Sequence, residues 1–120
     1  MSTATADNLS QKHCKPCEGG VPALTLEQVK TLLKDVPQWT LTENDKRLRR
    51  EWRVKDFMAG IEFFGSVAKI AEAEDHHPDL HLADYRNVAI ELWTHAVGGL
   101  TENDFILAAK IDKLPVELKK

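Results

Sequence analysis

The sequence has little of what marks a secreted, membrane-spanning or nucleic-acid-binding protein. Cysteine is scarce: the only two among 120 residues, Cys14 and Cys17, lie in a polar stretch where a disulfide would close a very small loop and add little stability. No apolar run approaches the roughly 20 residues of a membrane-spanning helix. The first residues lack the basic flank and apolar stretch of a signal peptide. We therefore expect a cytoplasmic protein that folds without disulfides and has no membrane partner.

An excess of positive charge is also missing. The formal net charge is −3 at pH 7, which removes the broad cationic field that non-specific nucleic-acid binding requires. The chain has no Gly-x-Ser-x-Gly motif, no glycine-rich phosphate loop and no dinucleotide-binding fingerprint. These absences argue against covalent catalysis, nucleotide chemistry and a nucleic-acid partner.

What is present has the composition of one ordinary soluble domain, with 42% hydrophobic and 29% charged residues. Residues 1–23 carry almost no apolar periodicity and include Gly19-Gly20 and two prolines. We interpret them as an N-terminal extension that contains the Cys-x2-Cys pair, followed by a domain over residues 24–120.

The apolar periodicity of that domain predicts three helices. A capping box at residues 25–28 begins the first helix, and Pro37 ends its pattern. Asp56 caps the second helix, which Pro78 ends because a residue before proline is disfavoured in helical dihedrals. A second capping box at residues 101–104 begins the third helix.

Alternating apolar residues predict two β-hairpins between these helices. The first pairs a short strand around residues 39–41 with residues 47–54, and the second pairs residues 80–85 with residues 87–95. The side chains expected to face the helices in the last strand are Val88, Ile90 and Leu92. The predicted fold class is α+β: a four-stranded antiparallel sheet with three helices packed on one face, in the order α-β-β-α-β-β-α.

The most unusual segment surrounds two adjacent histidines, His76 and His77, at the end of the second helix. The partial negative charge of a helix C-terminus favours a protonated imidazole, and the nearby carboxylates of Asp75 and Glu72 act in the same direction. A further histidine, His95, ends the last strand. Histidine both gives and takes protons near neutral pH, so histidines that converge on one pocket suit acid-base elimination or tautomerisation.

Each of these residues also has an alternative interpretation. His76 and His77 can be a solvated helix end, and His95 can be a strand-end histidine bonded to a backbone carbonyl. Asp104 lies at the third position of a capping box, so its position is explained first by binding to the helix N-terminus rather than by catalysis. A metal site made by His76, His77 and His81, with or without His95, is a further alternative. The Cys-x2-Cys pair beside His13 has half the ligands of a zinc site, and its other interpretation is an inert or redox-sensitive tail.

Taken together, these positions resemble the signature of a known family. The pattern is Glu72-x3-His76-His77-Pro78-x6-Tyr85-x9-His95-x8-Asp104. It resembles the signature of the pterin-4a-carbinolamine dehydratases, and the similarity covers roughly residues 24–112. The resemblance implies dehydration of 4a-hydroxytetrahydropterin to quinonoid dihydropterin in tetrahydrobiopterin recycling, without a cofactor or a metal. It also implies a homodimer or homotetramer.

The resemblance further implies a set of site residues. The catalytic residues would be His76, His77 and His95, with His76 and His95 as proton carriers and His77 mainly holding the pterin. The substrate-binding residues would be Asp75, His76, His77, Trp93, Thr94, His95 and Ala96. Strict alternation places His95 on the face opposite the aliphatic core, so we expect the pocket at the rim of the sheet, where a strand end or bulge re-aims His95.

A rival hypothesis comes from another functional class. The same scaffold can serve as a non-catalytic module that dimerises or binds a partner protein in the manner of a coactivator. Partner binding would then survive the loss of His76 and His95, whereas a dehydratase would lose its turnover.

Overall fold

The computed structural model describes residues 6–14 and 23–119, and within those ranges it contains four strands and four α-helices. In chain order they are α1 (Ala6–Gln11), α2 (Leu26–Leu33), β1 (Thr40–Thr42), β2 (Arg47–Arg53), α3 (Phe57–Glu74), β3 (Asp79–Ala83), β4 (Asn87–Leu92) and α4 (Glu102–Asp112). A 3₁₀ turn, His95–Val97, lies between β4 and α4. None of the helices in the described ranges is long and apolar enough to cross a membrane.

The strands form one antiparallel sheet in the spatial order β1-β2-β4-β3, which confirms the predicted α+β class. In the register of β2 with β4, Leu48 pairs with Leu92 and Trp52 with Val88, so one face of the sheet is apolar. Helix α3 covers that face through Phe63, whose ring centroid lies 5.0 Å from that of Trp52. The predicted inward set of β4, Val88, Ile90 and Leu92, is buried as expected.

Helix α4 is anchored to the same face by a hydrogen bond and an ion pair. Asp112 accepts from the indole Nε1 of Trp39 at 2.8 Å and from the guanidinium of Arg50 at 2.6 Å. The apolar residues of α4 are almost completely buried. The helix that carries Asp104 is therefore held rigidly against the sheet.

The starts of three helices agree with the capping patterns. The Thr25 and Gln28 capping box begins α2, the Asp56 carboxylate accepts from the Ala59 N–H at the start of α3, and a capping box with Asp104 begins α4. Local side-chain to backbone hydrogen bonds within three residues determine these positions, which is why the sequence predicts them.

The end of α3 differs from the prediction. The helix stops at Glu74, well before Pro78, because Asp75 takes a left-handed conformation with φ of 52°. The Asp75 N–H donates hydrogen bonds to the carbonyls of Ala71 and Glu72, and the His76 N–H donates to the Ala71 carbonyl at 3.1 Å. This turn, rather than the proline, ends the helix and sets the direction in which His76 leaves it.

The last strand is also shorter than predicted. β4 ends at Leu92, and His95 lies in the 3₁₀ turn instead of the strand. The Thr94 N–H donates to the Gly99 carbonyl at 2.8 Å, which closes a tight loop around Gly98, whose φ is +64°. The alternation of side chains therefore ends before His95.

Part of the predicted N-terminal extension packs against the domain. Helix α1 lies on α4, and Leu9 is fully buried in the main hydrophobic core. The Lys110 ammonium donates to the Ser10 carbonyl at 2.7 Å, and Lys12 pairs with Glu102 at 3.0 Å. Sequence periodicity did not indicate this helix, because a six-residue helix with one buried leucine has too few apolar positions for a pattern.

Candidate active site

His76 is held by a buried carboxylate from another helix. Its ring Nε2 lies 2.6 Å from Oδ1 of Asp104, whose side chain is completely buried, while 11% of the His76 side chain is exposed. The two residues are 28 positions apart in the sequence and meet where the end of α3 passes the start of α4. The contact gives His76 a fixed ring orientation beside solvent.

Asp104 uses both of its oxygens. Its Oδ2 accepts from the Thr101 N–H at 2.9 Å and from the Thr94 hydroxyl at 2.8 Å, while Oδ1 contacts His76. The capping role predicted for Asp104 is confirmed, and it coexists with the contact to His76. A buried carboxylate is costly without donors, and three donors from three segments satisfy this one.

His77 has a different environment from its neighbour. Its Nε2 lies 2.6 Å from Oε2 of Glu72, one turn back along α3. Both side chains are largely exposed, at 55% and 77%. An ion pair so exposed contributes little to stability, so His77 remains free to exchange Glu72 for a ligand.

His95 lies at the rim of the sheet, where its ring stacks on an indole. The centroids of His95 and Trp93 are 3.9 Å apart, with an interplanar angle of 37°. The Arg47 guanidinium lies 4.5 Å from the centre of the same indole. The 3₁₀ turn, rather than a bulge, re-aims His95, and it follows directly after Thr94, whose hydroxyl contacts Asp104.

The other predicted binding residues lie in two segments that Asp104 links, through its contacts with His76 and Thr94. Asp75 is exposed in the left-handed turn, and Ala96 is exposed in the 3₁₀ turn. Trp93 is half-buried, and its indole Nε1 is a buried donor without a hydrogen-bond partner. Thr94 is buried, and its hydroxyl bonds within the protein.

Arg47 is a residue at this site that the sequence did not indicate. Besides lying over Trp93, its guanidinium is 3.3 Å from Glu91 and 3.9 Å from Asp79, which follows the His77-Pro78 pair. It therefore links the two segments that carry the histidines. In the sequence it is one of several alternating arginines on a strand, and no spacing distinguishes it.

The residues considered for a metal do not gather around one point. His81 lies on the outer face of β3, 3.6 Å from Glu91. Across residues 6–14 and 23–119, no group of three or more His, Cys, Asp or Glu residues is arranged to hold a metal ion. Cys14 contacts the Asn103 carbonyl at 3.6 Å, whereas Cys17 lies outside the described residues.

Two glutamates beside the site, Glu74 and Glu91, have side chains that are only 7% and 12% exposed, and their neighbours favour the ionised form. Burial opposes the charge of Glu74, but the Cys14 backbone N–H, the His13 ring and Lys110 outweigh it and lower the Glu74 pKa below its ordinary value. Burial likewise opposes the charge of Glu91, and Arg49, His81 and Arg47 lower its pKa. These carboxylates anchor the last turn of α3 and the outer face of β4.

Comparisons with known proteins agree with the signature. A family profile described as pterin 4 alpha carbinolamine dehydratase matches residues 22–114. The chain is 56% identical over 113 residues to pterin-4-alpha-carbinolamine dehydratase 2, mitochondrial, of Arabidopsis thaliana, covering 92% of this chain and 60% of that protein. It is 43% identical over 112 residues to a putative pterin-4-alpha-carbinolamine dehydratase of Methylococcus capsulatus, covering 93% and 97% of the two chains.

The fold has a counterpart among solved structures. A crystal structure described as a transcriptional coactivator/pterin dehydratase from Brucella melitensis superposes with a TM-score of 0.70. That protein is 31% identical, and the match covers 75% of this chain and 95% of the other. The part of the chain that carries the three histidines lies within the residues matched by the family profile.

Proposed function

Because this chain belongs to the pterin 4 alpha carbinolamine dehydratase family, we propose that it dehydrates 4a-hydroxytetrahydropterin to quinonoid dihydropterin by histidine acid-base catalysis. The proposed context is tetrahydrobiopterin recycling in the cytoplasm, with a small pterin as the substrate. No cofactor, nucleic acid or membrane takes part in the proposed reaction, and the active form is a homodimer or homotetramer.

The observation that carries the proposal is the buried pairing of His76 with Asp104. A carboxylate only accepts hydrogen bonds, so the Nε2 of His76 carries the proton in this contact. The ring Nδ1 has no hydrogen-bond partner among the described residues. Asp104 thereby holds the imidazole in one tautomer, with Nδ1 left to exchange a proton with a substrate.

The proposed chemistry needs two proton transfers. An acid protonates the 4a-hydroxyl, the C4a–O bond breaks with its electron pair, and water leaves. A base removes the N5 proton, and the N5–C4a double bond forms. We assign these transfers to His76 and His95, which together supply acid-base assistance of about 10²- to 10⁴-fold.

The remaining predicted residues bind the pterin in this proposal. The exposed ring of His77 contacts the substrate, and its weak pair with Glu72 is easily exchanged. The segments that contribute contacts are residues 75–77 and 93–96. The unpartnered indole N–H of Trp93 and the exposed backbone turn at Asp75 support that assignment.

The direct test follows the dehydration of enzymatically generated 4a-hydroxytetrahydropterin by its ultraviolet absorbance. We expect wild type to accelerate the reaction and both His76→Ala and His95→Ala to lose at least about 100-fold of that acceleration, with intact circular dichroism. His81→Ala is the matched control, because it removes a histidine from the outer face of the sheet and should retain activity. A folded wild type that does not accelerate dehydration would refute the proposal.

A second candidate is a partner-binding module on the same fold. The observation that favours it is an exposed apolar set at the start of α3, where Phe57, Met58 and Ile61 are 50%, 59% and 42% exposed. Under this hypothesis, His76→Ala and His95→Ala leave partner binding unchanged, and wild type shows no turnover.

A further inference from the structure

Thr94 joins the two halves of the candidate site through its hydroxyl. The side chain is buried, and Oγ1 lies 2.8 Å from Oδ2 of Asp104 and 2.9 Å from the hydroxyl of Thr101. Because the carboxylate has no proton to give, the Thr94 hydroxyl donates to Asp104, and the Thr101 hydroxyl donates to Thr94. The hydroxyl proton of Thr94, the only hydrogen-bond donor of its side chain, therefore goes to the carboxylate that holds His76.

The Thr94 backbone holds the other half of the site. Its N–H donates to the Gly99 carbonyl at 2.8 Å, and its carbonyl accepts from the Val97 and Gly98 N–H groups at 3.2 and 3.1 Å. These bonds form the 3₁₀ turn that begins at His95. Its hydroxyl and both backbone groups therefore bond within the protein, and these bonds join the Asp104 carboxylate to the turn that carries His95.

We propose that Thr94 is a positioning residue for the dehydration, acting through Asp104 on His76, an inference that rests on the proposed function. If the Thr94 hydroxyl is removed, Oδ2 of Asp104 loses one of the two donors described here and keeps the Thr101 N–H. The carboxylate then has a second accessible rotamer, and the ring of His76 loses its single orientation. Proton transfer is sensitive to such misplacement, whereas pterin binding by other residues is not.

The test uses two substitutions that separate shape from hydrogen bonding. Thr94→Val keeps the volume and removes the donor, and we expect about a tenfold loss of kcat with KM changed less than about twofold. Thr94→Ser keeps the donor and should retain most of the wild-type kcat. Thr42→Val is the matched control, because the buried Thr42 hydroxyl has no hydrogen-bond partner and its loss removes none.

A second readout does not depend on turnover. The Nε2 proton of His76, in a short bond to a carboxylate, should give a low-field proton resonance in the nuclear magnetic resonance spectrum, identified by its loss in His76→Ala. We expect the resonance to persist in Thr94→Ser and Thr42→Val, and to weaken or move upfield in folded Thr94→Val.

The outcomes separate the two proposals. An active wild type, a slow Thr94→Val and a restored Thr94→Ser, with the resonance changed only in the valine variant, support the positioning role. A Thr94→Val protein with wild-type kcat and an unchanged resonance overturns it. If wild type does not catalyse dehydration, the proposed function fails, and an unchanged resonance in Thr94→Val would overturn the positioning of His76 as well.

Discussion

At the scale of single residues, one carboxylate serves both the fold and the candidate site. Asp104 caps α4 with Oδ2 and contacts His76 with Oδ1, and it is completely buried. The capping contact is local, so residue spacing predicts it. The contact with His76 joins residues 28 positions apart, so residue spacing does not predict it. A residue with two oxygens can therefore meet a structural and a chemical demand at once, and a structural explanation of such a residue does not exclude a catalytic one.

Asp104→Asn tests this double role. The amide keeps an oxygen for one bond but presents an NH₂ group to a second donor, so either His76 or the helix cap loses its acceptor. We expect kcat to fall by roughly 100-fold and the free energy of unfolding to decrease by about 1–3 kcal/mol. Turnover and urea denaturation measure the two effects. An Asp104→Asn variant with wild-type kcat would remove Asp104 from the mechanism.

At the scale of elements, the N-terminal segment is tied to the end of α3, just before His76 and His77. Glu74, in the last turn of α3, accepts from the Cys14 N–H at 2.7 Å and contacts the His13 ring at 2.9 Å. Lys110 of α4 approaches the same carboxylate at 3.8 Å. Three segments thus meet at a buried charge two residues before His76.

Glu74→Gln should weaken this junction. We expect it to lower the free energy of unfolding by about 1–3 kcal/mol at pH 7, because charged hydrogen bonds to a buried group are lost. The folded pKa of Glu74 is depressed below 4.5, so its stabilisation is present above pH 4.5 and is lost as the pH falls through the folded pKa.

Urea denaturation of both proteins at several pH values provides the measurement. The difference between wild type and Glu74→Gln should shrink below about pH 4.5. Glu62→Gln, on an exposed position of the same helix, is the matched control and should change stability by less than about 0.5 kcal/mol. A difference that stays constant on acidification would contradict the ionised anchor.

Across the protein as a whole, the two faces of the sheet differ in polarity. The inner face is apolar and covered by helices, whereas the outer face carries Arg47, Arg49 and the ion-paired Glu91. The start of α3 leaves Phe57, Met58 and Ile61 exposed. An exposed apolar set of this kind favours association.

Met58→Glu tests whether this surface supports the expected homodimer or homotetramer. We expect wild type to elute, with light-scattering detection, at a multiple of the 13.5 kDa chain mass, and the variant to shift towards the single chain. A charge at a packed apolar contact is costly, whereas at a solvated position it is nearly neutral. Lys69→Glu, on an exposed position of α3, is the control and should leave the mass unchanged.

Local sequence determined the order of the strands and of the three longer helices α2, α3 and α4, the starts of those helices and the inward set of β4, because caps and periodicity depend on residues within a few positions of one another. The signature also indicated the family. Three features became evident only from the folded chain: α3 ends at a left-handed Asp75, β4 gives way to a turn before His95, and His76 contacts Asp104. The contact between His76 and Asp104 spans 28 residues, which no local pattern encodes. The bonds within the two turns are local, but no glycine or proline marks Glu74 or Leu92 as the last residue of its element.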